Sequence, residues 1–162
     1  DKDRLERQAR VQALIYRYRD LGHLMACLDP LAACPIDHPL LNLAAFNLTA
    51  EDLDLEFVAP RFSKSGRAPL RNIIQALEKT YAHSIGVEFM HLQDPDERNW
   101  LLDRMEPGLN QPKFDTPVKR RILDNLFQAA LFEQFINKKY LAVTRFSLEG
   151  GDAIIPALNG LV

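Results

Sequence analysis

Apolar residues recur at three- and four-residue steps in several stretches of the chain, which is the spacing of an amphipathic helix. One stretch covers residues 5–25, where Gly22 is expected to end or loosen the helix. A second covers 69–81, and a third, 116–140, has the widest apolar face. The pattern predicts a mainly α fold, and the width of the third face predicts that this helix is the centre of the core.

Three polar residues stand where helices are expected to begin. Asp94 and Thr116 are each followed directly by a proline, which is tolerated at the first helical position. Thr49 precedes two acidic residues that would oppose the positive end of the helix dipole. We therefore expect a helix from Asp94 to the Pro-Gly pair at 107–108, a long helix from Thr116, and a short helix over 49–57.

The segments between these helices carry other signals. Three prolines over 29–39 predict an irregular connector, and serines and a glycine over 60–67 predict a loop. The stretch 85–92 alternates apolar and polar residues, which allows a short strand or an extended segment. A last helix is expected to begin at about residue 152.

The composition is that of a folded globular chain. Of the 162 residues, 47% are hydrophobic and 26% charged, which is too apolar for a disordered tail. The net charge of -2, with both signs interspersed, predicts neither a nucleic-acid nor a membrane partner. No apolar run approaches the roughly 20 residues needed to cross a bilayer, and a cytoplasmic location is expected.

The candidate chemistry of single residues is sparse. Cys27 and Cys34 lack a nearby histidine cluster, so two reduced thiols are the simplest interpretation. His23 and His91 each have one acidic residue nearby in sequence, which more often marks a hydrogen-bonded structural histidine than a catalytic one. The sequence contains no nucleophile elbow, phosphate loop or dinucleotide fingerprint. Most phenylalanines, 127, 132 and 135 among them, are expected in the core.

One segment differs from an ordinary connector. Residues 144–152 place charges, an aromatic residue and the pair Gly150-Gly151 between two apolar helices. Paired glycines permit positive φ and close backbone approach. On its chemistry alone the segment is most simply a loop that ends in a helix cap.

The same segment carries a family resemblance. Residues 145–152, Arg-Phe-Ser-Leu-Glu-Gly-Gly-Asp, followed by Ile155-Pro156, resemble the stretch that precedes the first thiamine-diphosphate half-domain in the decarboxylating component of 2-oxoglutarate dehydrogenases. Similar segments follow the family's order at 18–23 (Tyr-Arg-Asp-Leu-Gly-His), 28–31 (Leu-Asp-Pro-Leu), 48–49 with 52–53 (Leu-Thr and Asp-Leu), and 84–91 (Ser-Ile-Gly-Val-Glu-Phe-Met-His). The resemblance implies an N-terminal helical region, over 1–143, that packs on an α/β cofactor-binding core beginning at 144–162.

The resemblance also implies a function for the longer enzyme. Members of the family are homodimers that decarboxylate 2-oxoglutarate on thiamine diphosphate and Mg²⁺. They pass the succinyl group to a lipoyl-bearing succinyltransferase, which works with a dihydrolipoyl dehydrogenase. The residues that bind the cofactor and metal would lie outside these 162 residues, so this chain alone is expected to be inactive.

The family's substrate pocket implies roles for five residues of this chain. The phenylalanine that lines the pocket falls on Phe146, which would supply shape and exclude water without transferring a proton. The supporting loop falls on four neighbours, Arg145, Glu149, Gly150 and Gly151. Two alternatives stay open: a non-catalytic helical interaction module, and the closely similar 2-oxoadipate dehydrogenase component.

Overall fold

The chain is mainly helical in the computed structural model, which describes residues 2–29, 31–140, 144, 147–148 and 150–161. It divides into two compact units, Asp1–Pro112 and Lys113–Val162. The first holds α1 (Lys2–Leu21), β1 (Glu56–Val58), β2 (Arg67–Pro69), α2 (Leu70–Tyr81) and α3 (Pro95–Met105), and the second holds α4 (Thr116–Lys139) and α5 (Ile154–Asn159). The predicted mainly α fold is confirmed.

Carboxylate caps fix the starts of α3 and α4. The Asp94 side chain accepts a hydrogen bond from the Asp96 amide at 2.8 Å, as the Asp-Pro signal predicts. The Asp115 side chain accepts one from the Val118 amide at 2.9 Å. The cap of α4 is therefore Asp115, one residue before the predicted Thr116, which is already helical.

The first unit contains a buried apolar core. Gly22 ends α1 where predicted and passes so close to α2 that a Cβ there would lie 2.6 Å from the Tyr81 Cβ. This approach requires a residue without a side chain, because no real Cβ tolerates such a contact. The completely buried apolar residues come from α1 and α2: Val11, Leu14, Leu70, Ile73, Leu77 and Tyr81.

The prediction that the long helix is the centre of the core is wrong. No described residue of α4 is buried, and Phe127, Phe132 and Phe135 are all exposed rather than in the core. A wide apolar face indicates that something covers a helix, but it does not say which residues supply the cover. None of the described helices, α4 included, is long and apolar enough to cross a membrane.

The short helix predicted over 49–57 is also wrong beyond its first turn. Thr49 caps a single 3₁₀ turn, Ala50–Asp52, with a reciprocal bond to Asp52. The chain then enters β1, where Phe57 pairs with Ala68 of β2 in an antiparallel hairpin. Pairing with a later segment and burial of Phe57 outweigh the weak helical preference of so short a stretch.

Residues 85–92 form no strand, so the strand that the alternating pattern allowed is absent there. Residues 85–89 are irregular, and Met90 and His91 form a turn in which the Leu92 amide donates to the Phe89 carbonyl at 3.1 Å. Phe89 attaches this segment to the core: its side chain is buried and stacks on Tyr81, with ring centroids 6.2 Å apart.

The expectation of two reduced thiols is wrong for this structure. Cys27 and Cys34 form a disulfide, and their Cα atoms lie 4.8 Å apart, within the range that a disulfide spans. The connector turns back because the Asp29 side chain accepts a hydrogen bond from the Leu31 amide at 2.8 Å. The sequence spacing did not reveal that this turn brings the cysteines together.

Candidate functional site

The predicted site falls on the loop between α4 and α5. Arg145, Phe146 and Glu149 lie outside the described residues. Gly150 and Gly151 are described, and both lie in the second unit. The geometry of the site therefore comes from the loop residues on either side of these positions and from the helix they contact.

The end of the loop is a tight turn that leads into α5. The Gly151 amide donates to the Leu148 carbonyl at 2.7 Å, and the Gly150 amide donates to the Asp152 carboxylate at 3.3 Å. Gly150 has a φ of 87°, a conformation that residues with a Cβ rarely adopt. The positive φ expected for the glycine pair is thus confirmed at Gly150.

A carboxylate of α4 holds Ser147 and Leu148 of the loop. The Leu148 amide donates to Glu133 Oε1 at 2.6 Å, and the Ser147 hydroxyl donates to Glu133 Oε2 at 2.8 Å. Both oxygens of one side chain thus bind consecutive residues of the loop. Hydrogen bonds to an ionised carboxylate are stronger than those between neutral groups.

These two donors also change the titration of the carboxylate. The Leu148 amide and, to a smaller extent, the Ser147 hydroxyl lower the pKa of Glu133, because both stabilise its ionised form. A lowered pKa means that the contact to the loop is present at neutral pH. It is lost only as the pH falls through that lowered value.

An open cavity of about 1030 Å³ lies beside this contact in the second unit. Its floor is the C-terminal half of α4, and its wall is formed by the loop and α5. The residues that line it are Gln128, Ala129, Phe132, Glu133, Gln134, Ile136, Asn137, Ser147, Leu148 and Ile155. The lining is suited to shaping a pocket and offers amide and hydroxyl groups for hydrogen bonds.

The described residues offer no centre for metal chemistry. Within them, no group of three or more histidine, cysteine, aspartate or glutamate side chains could hold a metal ion. The acid recorded beside His23 is Glu88, whose Oε1 lies 3.8 Å from His23 Nε2, too far for a hydrogen bond.

A buried ionic cluster stabilises the first unit. Arg19 donates two hydrogen bonds to Glu106, at 2.8 and 3.0 Å, and the Tyr81 hydroxyl donates a third at 2.7 Å. Burial, followed by the charge of Glu106, raises the pKa of the Tyr81 hydroxyl. The cluster joins α1, α2 and the end of α3, and it is a structural element of the core.

Known proteins resemble the chain along almost its whole length. It is 40% identical over 155 residues to the 2-oxoglutarate dehydrogenase E1 component of Coxiella burnetii, across 95% of the chain. It is 35% identical over 159 residues to that of Azotobacter vinelandii, across 97% of the chain. The chain is homologous to part of the 2-oxoglutarate dehydrogenase E1 component. No family model matches it.

The similarity covers a minor part of each E1 component. The chain spans 16% of the Coxiella protein and 17% of the Azotobacter protein. It spans 13% of the 2-oxoglutarate dehydrogenase E1/E2 component of Corynebacterium glutamicum, to which it is 37% identical over 163 residues. The family resemblance expected from the short segments is confirmed, and it extends far beyond them.

Sequence reasoning missed Glu133, which contacts the loop. Glu133 continues the helical spacing of the apolar residues Ile122, Leu126 and Ala129, so an acid stands where an apolar residue is expected. That mismatch is the signal that could have identified it. Its partners follow 14 and 15 residues later, so helical spacing alone does not reveal them.

Proposed function

We propose that this chain is the helical N-terminal region of a 2-oxoglutarate dehydrogenase E1 component, which oxidatively decarboxylates 2-oxoglutarate in the tricarboxylic acid cycle and transfers the succinyl product to a lipoyl group. The observation that carries the proposal is 40% identity to such a protein across 95% of the chain. A non-catalytic module would not require similarity across nearly all helices and loops alike. We retain the predicted division at 143/144 as part of the proposal.

The proposal assigns the reaction's central chemistry to a cofactor held by the rest of the enzyme. Thiamine diphosphate, bound with Mg²⁺, supplies the carbanion stabilisation that decarboxylation requires. Within this chain, Phe146 would shape the substrate pocket and exclude water from it. Arg145, Glu149, Gly150 and Gly151 would hold the loop, and the isolated chain would be inactive.

The apolar face of α4 supports packing against the remainder of such an enzyme. Leu123, Phe127, Leu131 and Phe135 follow one another at four-residue steps and are all exposed. Because contiguous apolar patches on soluble proteins usually mark interfaces, we assign this stripe to the contact with the cofactor-binding core. The cavity beside it would then open towards the active site.

The proposal includes the assembly in which the enzyme acts. The E1 component would be a homodimer in the cytoplasm, and it would work with a lipoyl-bearing succinyltransferase and a dihydrolipoyl dehydrogenase. The succinyltransferase receives the product of decarboxylation, so it must reach the same active site. Support for such an assembly comes from the Corynebacterium relative, whose name joins the E1 and E2 components in one protein.

The role of Phe146 is testable in the full-length enzyme. Phe146→Ala should lower kcat/KM for 2-oxoglutarate roughly tenfold or more, the scale set by loss of a pocket-shaping apolar contact. The thermal midpoint should stay within a degree or so of the wild-type value, because a pocket-lining side chain contributes little to the core. Steady-state kinetics and a thermal melt measure the two quantities.

The same assay separates the alternatives. A lower thermal midpoint with normal turnover per folded molecule would make Phe146 a core residue. Higher kcat/KM for 2-oxoadipate than for 2-oxoglutarate in the wild-type enzyme would favour the 2-oxoadipate component. Absence of turnover with both substrates would favour the interaction module.

A further inference from the structure

The contact between Glu133 and the loop is a specific one. Its two carboxylate oxygens accept bonds from two consecutive residues, at 2.6 Å from the Leu148 amide and 2.8 Å from the Ser147 hydroxyl. The amide bond does not depend on the identity of the loop side chain, whereas the hydroxyl bond does. Together they fix both the position and the rotation of this piece of backbone relative to α4.

The other side of the loop is fixed independently. The Gly151 amide binds the Leu148 carbonyl at 2.7 Å, and the Gly150 amide binds the Asp152 side chain at 3.3 Å. Leu148 is therefore held through its amide by α4 and through its carbonyl by the turn before α5. The backbone of Leu148 is thus restrained from two sides.

We propose that Glu133 is a positioning residue for the substrate pocket, holding the Ser147-Leu148 backbone in place as part of the wall of the cavity beside α4. This inference rests on the proposed function. Glu133 acts through the loop and not on the reacting atoms. Its location on a long, regular helix suits that task, because rigid elements position site residues better than loops do.

The test uses full-length enzyme carrying Glu133→Ala or Glu133→Gln, with Asp124→Asn as a matched control. Asp124 is an exposed acid on the same helix, so its replacement removes a charge without touching the loop. Glu133→Ala should lower kcat/KM for 2-oxoglutarate by roughly tenfold, mainly through KM, since small displacements of positioning groups have effects of this size or larger. The kcat/KM of Glu133→Gln should lie between those of Glu133→Ala and the wild-type enzyme, because the glutamine amide oxygen still accepts one hydrogen bond.

Two measurements besides kinetics complete the test. Hydrogen exchange at the Leu148 amide should be faster in Glu133→Ala than in the wild-type and Asp124→Asn proteins. The thermal midpoints of all three should agree closely, because Glu133 is partly exposed and outside the buried core. Combining Glu133→Ala with Ser147→Ala should lower kcat/KM by less than the product of the single effects.

Each contrary result has a distinct meaning. Kinetics of Glu133→Ala equal to those of Asp124→Asn would overturn the positioning role. A lowered thermal midpoint with normal kcat/KM per folded molecule would also overturn it, by showing a purely structural contact. If the wild-type enzyme does not act on 2-oxoglutarate, the proposed function fails and the pocket role fails with it. An unchanged Leu148 exchange rate would instead overturn the anchor itself.

Discussion

Replacing Glu106 with glutamine should lower the free energy of unfolding of the 162-residue chain by about 3 kcal/mol, the lower end of the range for breaking a buried ion pair. The Glu106 side chain has no exposed surface, and that of Arg19 is only 20% exposed. Glutamine keeps the shape but removes the charge that compensates Arg19. Its amide group also presents donors where Arg19 and the Tyr81 hydroxyl already donate.

A urea titration followed by the fluorescence of Trp100 measures this effect. Trp100 is the only tryptophan and lies on α3, so it reports on the unit that holds the cluster. Asp103→Asn is the control, because this acid pairs with Arg61 while remaining 64% exposed. Asp103→Asn should lower the free energy of unfolding by less than about 1 kcal/mol. Equal losses for Glu106→Gln and Asp103→Asn would contradict a stabilising buried ion pair between Arg19 and Glu106.

Truncating Leu77 to alanine should lower the free energy of unfolding of the chain by about 2 to 5 kcal/mol. Leu77 is completely buried in the face of α2 that packs on α1. The substitution removes apolar contacts and leaves a cavity that the surrounding side chains fill only in part. The same urea titration, read by Trp100 fluorescence, gives the size of the loss.

The matched control is a larger truncation on the exposed helix. Phe127→Ala removes a bigger side chain, yet Phe127 is 57% exposed, so the loss in the isolated chain should be within about 0.5 kcal/mol. Because Phe127 and Trp100 belong to different units, far-ultraviolet circular dichroism should follow this variant as well. A cost for Phe127→Ala as large as that of Leu77→Ala would restore α4 as the centre of the core.

Local signals in the sequence correctly predicted the start of α3 and the end of α1. The Asp94-Pro95 start of α3 and the Gly22 end of α1 both appear where expected, because caps and breakers act within one helical turn. The predicted cap of α4, Thr116, lies one residue after the observed cap, Asp115. Both residue types are good caps, so only the folded backbone decides between them.

Features that depend on distant partners were not predictable in this way. The β1 strand forms because Phe57 meets Ala68 across a hairpin, and the disulfide forms because a turn brings Cys27 to Cys34. Neither contact produces a repeating pattern of apolar and polar residues from which it could be predicted. The prediction that α4 is the centre of the core was wrong for a related reason. Periodicity shows that one face of a helix is apolar, but it does not show which residues cover that face.

The candidate site was predicted in part. The glycine pair indicated an unusual backbone, and Gly150 has positive φ. The role of Phe146 rests on the family resemblance and remains a prediction, as do those of Arg145 and Glu149. The contact of Glu133 with the loop could not be predicted from the residues adjacent to it in the sequence. Its hydrogen-bond partners, Ser147 and Leu148, follow 14 and 15 residues later.

The most direct test of the account is decarboxylation of 2-oxoglutarate by the full-length protein, assayed with and without thiamine diphosphate and Mg²⁺, beside the 162-residue chain alone. The account predicts release of carbon dioxide by the full-length protein only when the cofactor is present, and none by the isolated chain. Cofactor-independent release, release by the isolated chain, or no release by the full-length protein would contradict it.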